Sequence, residues 1–207
     1  MTPMDRLDRL NSEKVSGCTR CALHKLRTNT VFGEGSPTAD VMFVGEGPGA
    51  REDVLGRPFV GDAGVILNNL IKHAGLVREE VYIANVVKCR PPGNRDPERV
   101  EIETCTPYLR GQIATIRPNL LVALGRISGN MLTGQQVALS GEVLQSRMWT
   151  YTHEELGLAI PVVCLYHPAY LHRKLGSDAL KPLYRDTVGR LRRAIAQTKP
   201  LEIDFDF

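Results

Sequence analysis

No stretch of the 207 residues approaches the roughly 18–20 consecutive apolar residues of a membrane span. The opening MTPMDRLDRLNSEK has no apolar core of the kind a secretory signal needs. Neither charge sign dominates: 26 Lys and Arg against 23 Asp and Glu leave a net charge of +3. Charge alone therefore does not mark a nucleic-acid binder, and is compatible only with a local basic face. Internal repeats, low-complexity tracts and linkers are missing as well. These absences argue against a membrane protein and make a cytoplasmic location the expectation. In a reducing compartment the five cysteines are not expected to pair as disulfides, so they need another use.

The length suffices for one α/β domain with a full core. Four short apolar runs, Val41–Val44, Val81–Val87, Leu120–Leu124 and Val162–Tyr166, read as strands covered on both faces. Asp62 can cap a helix through Val65, Leu67, Leu70 and Ile71, with Gly75 as its stop. Asp96-Pro97 can open a second helix that reaches toward Arg117, with a kink or break at Pro107. A last amphipathic helix is expected from about Leu183 to Ala196, with Leu183, Val188, Leu191 and Ile195 inward. Gly141–Tyr151 is read as a hairpin, and the tail Leu201–Phe207 carries no assignment. Strand–helix alternation predicts a single α/β domain over residues 1–207, with a four-stranded, mainly parallel central sheet flanked by helices.

In open parallel sheets ligands bind beyond the carboxyl ends of the strands, and each end here carries something unusual. The first strand runs into Gly45-Glu46-Gly47-Pro48-Gly49-Ala50-Arg51-Glu52-Asp53 and then Gly56-Arg57-Pro58-Phe59-Val60-Gly61. The second carries Asn85, followed by Lys88-Cys89-Arg90-Pro91-Pro92. The third ends in Gly125-Arg126, and the fourth in His167-Pro168-Ala169-Tyr170-Leu171-His172-Arg173. The glycine-rich turn lacks the Lys-Ser/Thr of a phosphate loop and the spacing of a dinucleotide fingerprint. Singly, Asn85 can bond to neighbouring backbone, Phe59 can be core, and His167 can be a satisfied strand-end histidine. Jointly, at separate strand ends, they point to one pocket. Cys18-Thr19-Arg20-Cys21 is a close pair, with Cys89 and Cys105 much later; by spacing alone, zinc and a [4Fe–4S] cluster are both admissible. Cys164 lies inside an apolar strand and reads as a buried core thiol.

Together the cysteine pair, Gly45–Gly64, Tyr82–Pro92 and His167-Pro168-Ala169-Tyr170-Leu171 resemble the uracil-DNA glycosylase superfamily, and most closely its iron–sulfur family 4, over about residues 18–196. A related group bonds covalently to uracil through a histidine in an inserted loop. Here that region is the short Gly93-Asn94-Arg95-Asp96, which favours the hydrolytic reaction. The resemblance implies a monofunctional glycosylase, acting as a monomer on uracil in single- and double-stranded DNA, free of membranes and in the cytoplasm or nucleoid. It implies a [4Fe–4S] cluster on Cys18, Cys21, Cys89 and Cys105, with about 1–35 as the cluster-binding segment. Arg20, Lys25, Lys88 and Arg90 are expected near DNA. Phe59 would stack on an extruded base, Asn85 would read its edge, and Gly47 would bring backbone N–H groups to the pocket. His167 would act as a neutral donor to the leaving base. Glu46 and Glu52, unranked, are the carboxylates available to the sugar or water. Leu171 is expected to wedge into the duplex, with Arg173 contacting DNA. The competing readings are an inactive or differently specific superfamily member and an iron–sulfur redox protein.

Overall fold

The computed structural model describes residues 1–138 and 147–198. Six strands form one mixed sheet: β1 (Glu34–Gly35), β2 (Val41–Gly45), β3 (Tyr82–Asn85), β4 (Leu120–Leu124), β5 (Trp149–His153) and β6 (Leu158–Leu165). Their spatial order is β1-β3-β2-β4-β6-β5. The four runs read from the sequence are the central β3, β2, β4 and β6, paired parallel. The expectation of four strands is corrected at both edges, where β1 and β5 pair antiparallel. Both escape an apolar-run search for a physical reason. β1 has two residues, and β5 (WTYTH) has one buried face, so its side chains alternate rather than run apolar. β5 returns to β6 through the turn at Glu154–Leu156 and Gly157. Part of the expected Gly141–Tyr151 hairpin lies outside the described residues.

The helices are α1 (Pro3–Leu10), α2 (Ala50–Leu55), α3 (Asp62–His73), α4 (Arg99–Ile116), α5 (Arg126–Thr133), α6 (Pro168–Arg173) and α7 (Leu180–Thr198). Gly61, not Asp62, is the residue before the first turn of α3, and the helix ends just before Gly75 at φ +83°. α4 starts at Arg99 with Glu98 and Glu101 forming its capping box, later than the expected Asp96. Pro107 does not break it. Both Pro107 and Glu103, whose carbonyl loses its partner, lie on the exposed side, where solvent can take that carbonyl. One apolar layer, with Met42, Val44, Leu109, Ile113 and Leu121, covers one face of the sheet. The other, with Phe43, Leu67, Ile71, Val122 and Leu191, covers the opposite face. The parallel centre is thus buried on both sides, and its carboxyl ends are the place left open for chemistry. No described helix is long and apolar enough to cross a membrane.

Candidate active site

The carboxyl ends of β2, β3 and β6 meet at a cleft of about 390 Å³, within the size range of small-ligand sites. Glu46, Gly47, Glu52, Phe59, Asn85 and His167 line it together, and so does Arg173, which the sequence placed against DNA; Leu171 does not. Asn94, Arg95 and Asp96 complete one wall.

Asn85 ends β3 and is 2% exposed, yet its Oδ1 is buried with no hydrogen-bond partner. A buried orphan acceptor costs about 1–3 kcal/mol, so this atom marks where a ligand donor belongs. The Phe59 ring lies beside it, held in the left-handed region at φ +51°, an uncommon conformation for a non-glycine residue. Two glycines make this possible. A Cβ on Gly45 would collide with both Asn85 Oδ1 and the Phe59 ring, and one on Gly64 would strike the Phe59 backbone. The Phe59 and His167 ring centroids are 6.0 Å apart at 35°.

The structure separates the two glutamates. Glu52 accepts from the N–H groups of Gly49 (3.1 Å), Val60 (2.9 Å) and Gly61 (2.7 Å), so it clamps the loop that presents Phe59. The next residue, Asp53, accepts from Thr28 N–H at 2.9 and 3.0 Å and from Asn29 N–H at 3.4 Å, fixing the segment after the cysteine pair to α2. Glu46 is only half-buried, and among the described residues nothing hydrogen-bonds its carboxylate. Burial pushes its pKa up to about 7, and Asp96 adds to the shift while Arg126 opposes it. Asp96 and Arg126 are themselves paired at 2.7 Å. Sequence reasoning assigned neither of them to the site; the available signals were that Arg126 directly follows a strand and Asp96 ends the short loop after Pro92.

His167 caps α6, its Nδ1 accepting the Ala169 N–H at 3.1 Å. With Nδ1 so occupied, the proton of the neutral ring sits on Nε2, leaving a donor. Burial holds its pKa down at about 4, helped by the Arg173 charge. Gly125, at φ +100°, leaves room for the ring, since a Cβ there would press on His167.

Leu171 is a correction. It is 0% exposed and packs with Ile66, Leu70 and Val188, so it cannot enter a duplex without leaving the core. It follows His167 by one helical turn, which carries it to the inner side of α6, while Arg173 is exposed. Leu171→Ala is expected to lower unfolding stability by about 2–5 kcal/mol, read from the urea midpoint; an unshifted midpoint would return Leu171 to the surface.

Four cysteines form a second group. Cys89 and Cys105 are each 6% exposed, with Cys18 and Cys21 half-buried against the same apolar layer. Two of the four sulfurs accept hydrogen bonds, and a third lies beside a hydroxyl. Arg27 Nη1 donates to Cys89 Sγ at 3.0 Å, and the Lys88 N–H to Cys105 Sγ at 3.3 Å. The Tyr108 hydroxyl lies 3.1 Å from Cys18 Sγ. Burial raises the Cys105 thiol to about 11, with Lys88 opposing. Among the described residues no group of three or more His, Cys, Asp or Glu is disposed to hold a metal ion. Cys164 is 1% exposed, as a core thiol should be. Arg20 and Lys25 are exposed and Arg90 half-buried. Lys88, expected near DNA, is instead 1% exposed: its Nζ donates inward, to Asn85 O at 2.9 Å and Gln112 Oε1 at 2.6 Å.

Comparison with known proteins agrees with this geometry. Residues 32–188 match the family model described as uracil DNA glycosylase superfamily. The chain is 42% identical to the type-4 uracil-DNA glycosylase of Saccharolobus solfataricus, over 97% of this chain and 91% of that protein. It is 41% identical to that of Sulfurisphaera tokodaii (98% and 90%) and 38% identical to that of Archaeoglobus fulgidus (98% and 100%). The superfamily match begins after the Cys18–Cys21 pair, whereas the alignments to the type-4 proteins extend over nearly the whole chain. The chain therefore belongs to the uracil DNA glycosylase superfamily, in its type-4 branch.

Proposed function

We infer that this protein is a uracil-DNA glycosylase, excising uracil from DNA by hydrolysis of the N-glycosidic bond and leaving an abasic site. The observation that carries the reading is the orphan Oδ1 of Asn85, set beside an aromatic ring at the end of a central strand. Uracil extruded from the helix places its N3–H on that oxygen and takes the amide N–H on O4. Cytosine has the reverse pattern there and leaves buried groups unpaired, a penalty that can discriminate by several powers of ten. Phe59 stacks on the base. When the C1′–N1 bond breaks, its electron pair goes to the base, and His167 Nε2–H donates to the negative charge developing at O2. The positive charge left on the sugar faces the Glu46 carboxylate, which also orients the water that adds at C1′ and takes the proton this water loses, the proton passing on to the uracil anion. Glu52 holds the Phe59 loop in place.

The test is abasic-site formation in single- and double-stranded oligonucleotides containing uracil, with Asn85→Asp run beside the parent. The parent cleaves uracil only; the variant, having lost the donor half of the amide, cleaves it more slowly and gains activity toward cytosine. A parental protein that leaves uracil in place overturns the function. An unchanged Asn85→Asp variant overturns the role of the amide.

For the cysteines, the proposed group is one [4Fe–4S] cluster on Cys18, Cys21, Cys89 and Cys105. Support comes from the type-4 relationship and from the donors aimed at the sulfurs, because hydrogen bonds to the sulfurs suit thiolates carrying a cluster's negative charge. Bound, the cluster would supply a crosslink between the N-terminal segment and the segment following β3. Anaerobically purified protein should be brown with about four irons per chain; stoichiometric zinc without iron would exclude the cluster. A monomer is the proposed working form.

A further inference from the structure

We propose that Lys88 is the positioning residue of the base-reading amide, its buried Nζ fixing the Asn85 backbone from behind. The inference rests on Asn85 reading uracil, and concerns what keeps that side chain aimed.

Pairing between β1 and β3 stops at Glu34 opposite Ile83. The carbonyl of Asn85, two residues on and facing the same side of the strand, lies past the end of β1. Lys88 Nζ takes it, at 2.9 Å. On the other side of the same peptide, the Val86 N–H donates to Gly45 O at 2.9 Å. Both polar groups of the Asn85–Val86 peptide are therefore held, and the direction of the Asn85 side chain with them.

The ammonium is anchored in turn. Gln112 Oε1 accepts from it at 2.6 Å, and Gln112 Nε2 donates to Phe32 O (2.9 Å) and to the Tyr82 hydroxyl (3.1 Å). The Phe32 ring faces the charge at 5.9 Å. Gln112 is 0% exposed, so this is a closed buried network, where a partial break is costly. Its other end is the cysteine group: the Lys88 N–H donates to Cys105 Sγ, and Cys105 and Gln112 share one stripe of α4, seven residues apart. A surface role in phosphate binding would require none of this.

A residue that works only through Asn85 loses its influence once the amide is gone, whereas a general packing defect does not. Single-turnover excision from a single-stranded uracil oligonucleotide is compared for the parent, Lys88→Met, Asn85→Ala and the double variant, at matched iron content. Lys88→Met should slow the parent by about 10- to 100-fold, the scale of one lost charge-assisted hydrogen bond, and leave the rate of Asn85→Ala unchanged. Losses that multiply overturn the proposal. Should Lys88→Met fail to fold, Gln112→Met, which removes the other anchor of Nζ, is put through the same cycle with the same two outcomes. If the parent itself excises no uracil, the function falls and Lys88 is judged by a crystal structure of the variant. A displaced Asn85 amide supports the positioning role, and an amide in its parental place overturns it.

Discussion

Glu46→Gln should slow single-turnover uracil excision by about 10²–10⁴-fold, the usual range for a positioned acid or base, and should flatten its dependence on pH. The active form is the carboxylate, because the sugar becomes positive as the bond breaks. With the pKa raised to about 7 by burial and by Asp96, the parental rate should climb as pH rises through about 7 and then level. Glutamine keeps the shape and removes the titration. Stability runs the other way. A carboxyl whose folded pKa lies above its unfolded value favours folding while protonated, and that contribution is lost between about pH 4.5 and 7. Glu46→Gln should therefore melt above the parent at pH 8 and lose that advantage near pH 4. An ascending limb near pH 7 that survives in the variant would move the titration to another group.

His167→Ala should cost about 10²–10³-fold in single-turnover rate, as loss of one preorganised donor does, with binding to abasic DNA nearly intact. Since its folded pKa is held down to about 4, no histidine limb is expected in the rate profile above pH 5. The stability associated with its neutral form is complete above the unfolded value near 6.5 and is lost as pH falls through about 4. A folded alanine variant that cleaves at the parental rate removes His167 from the chemistry. A loss confined to abasic-DNA affinity makes it a DNA-holding residue instead.

The parallel centre of the sheet was legible because strands buried on both faces leave continuous aliphatic runs, and β2 and β4 are fully buried along their lengths. The edges were not, because a half-exposed strand and a two-residue strand leave no such trace. The pocket residues were legible as a set at strand ends. What one chain cannot display is where each side chain is already engaged. Glu46 and Glu52 look alike in the sequence, and only the fold brings the Val60 and Gly61 amides to one of them. Leu171 looked like a wedge because its spacing from His167 is visible, while the four-residue step that carries it to the inner side of α6 depends on how that short helix packs on α3. Lys88 read as a surface cation for the usual reason that lysine is almost never buried unpaired. Its partners come from Asn85 and Gln112, the second lying 24 residues away on α4.

The adjacent carboxylates of α2 have a consequence for how the molecule breathes. Glu52 and Asp53, 9% and 3% exposed, receive amides from two separate loops, Val60–Gly61 and Thr28–Asn29. None of these amides belongs to a helix or strand ladder, yet each is tied to a buried acceptor on one short helix. Their hydrogens should exchange with solvent at rates typical of the sheet, and those rates should rise and fall together, because freeing either loop requires α2 to lift. The stretch next to the cysteine pair and the stretch that carries Phe59 then share a single opening event, although Asn29 and Phe59 stand 30 positions apart along the chain.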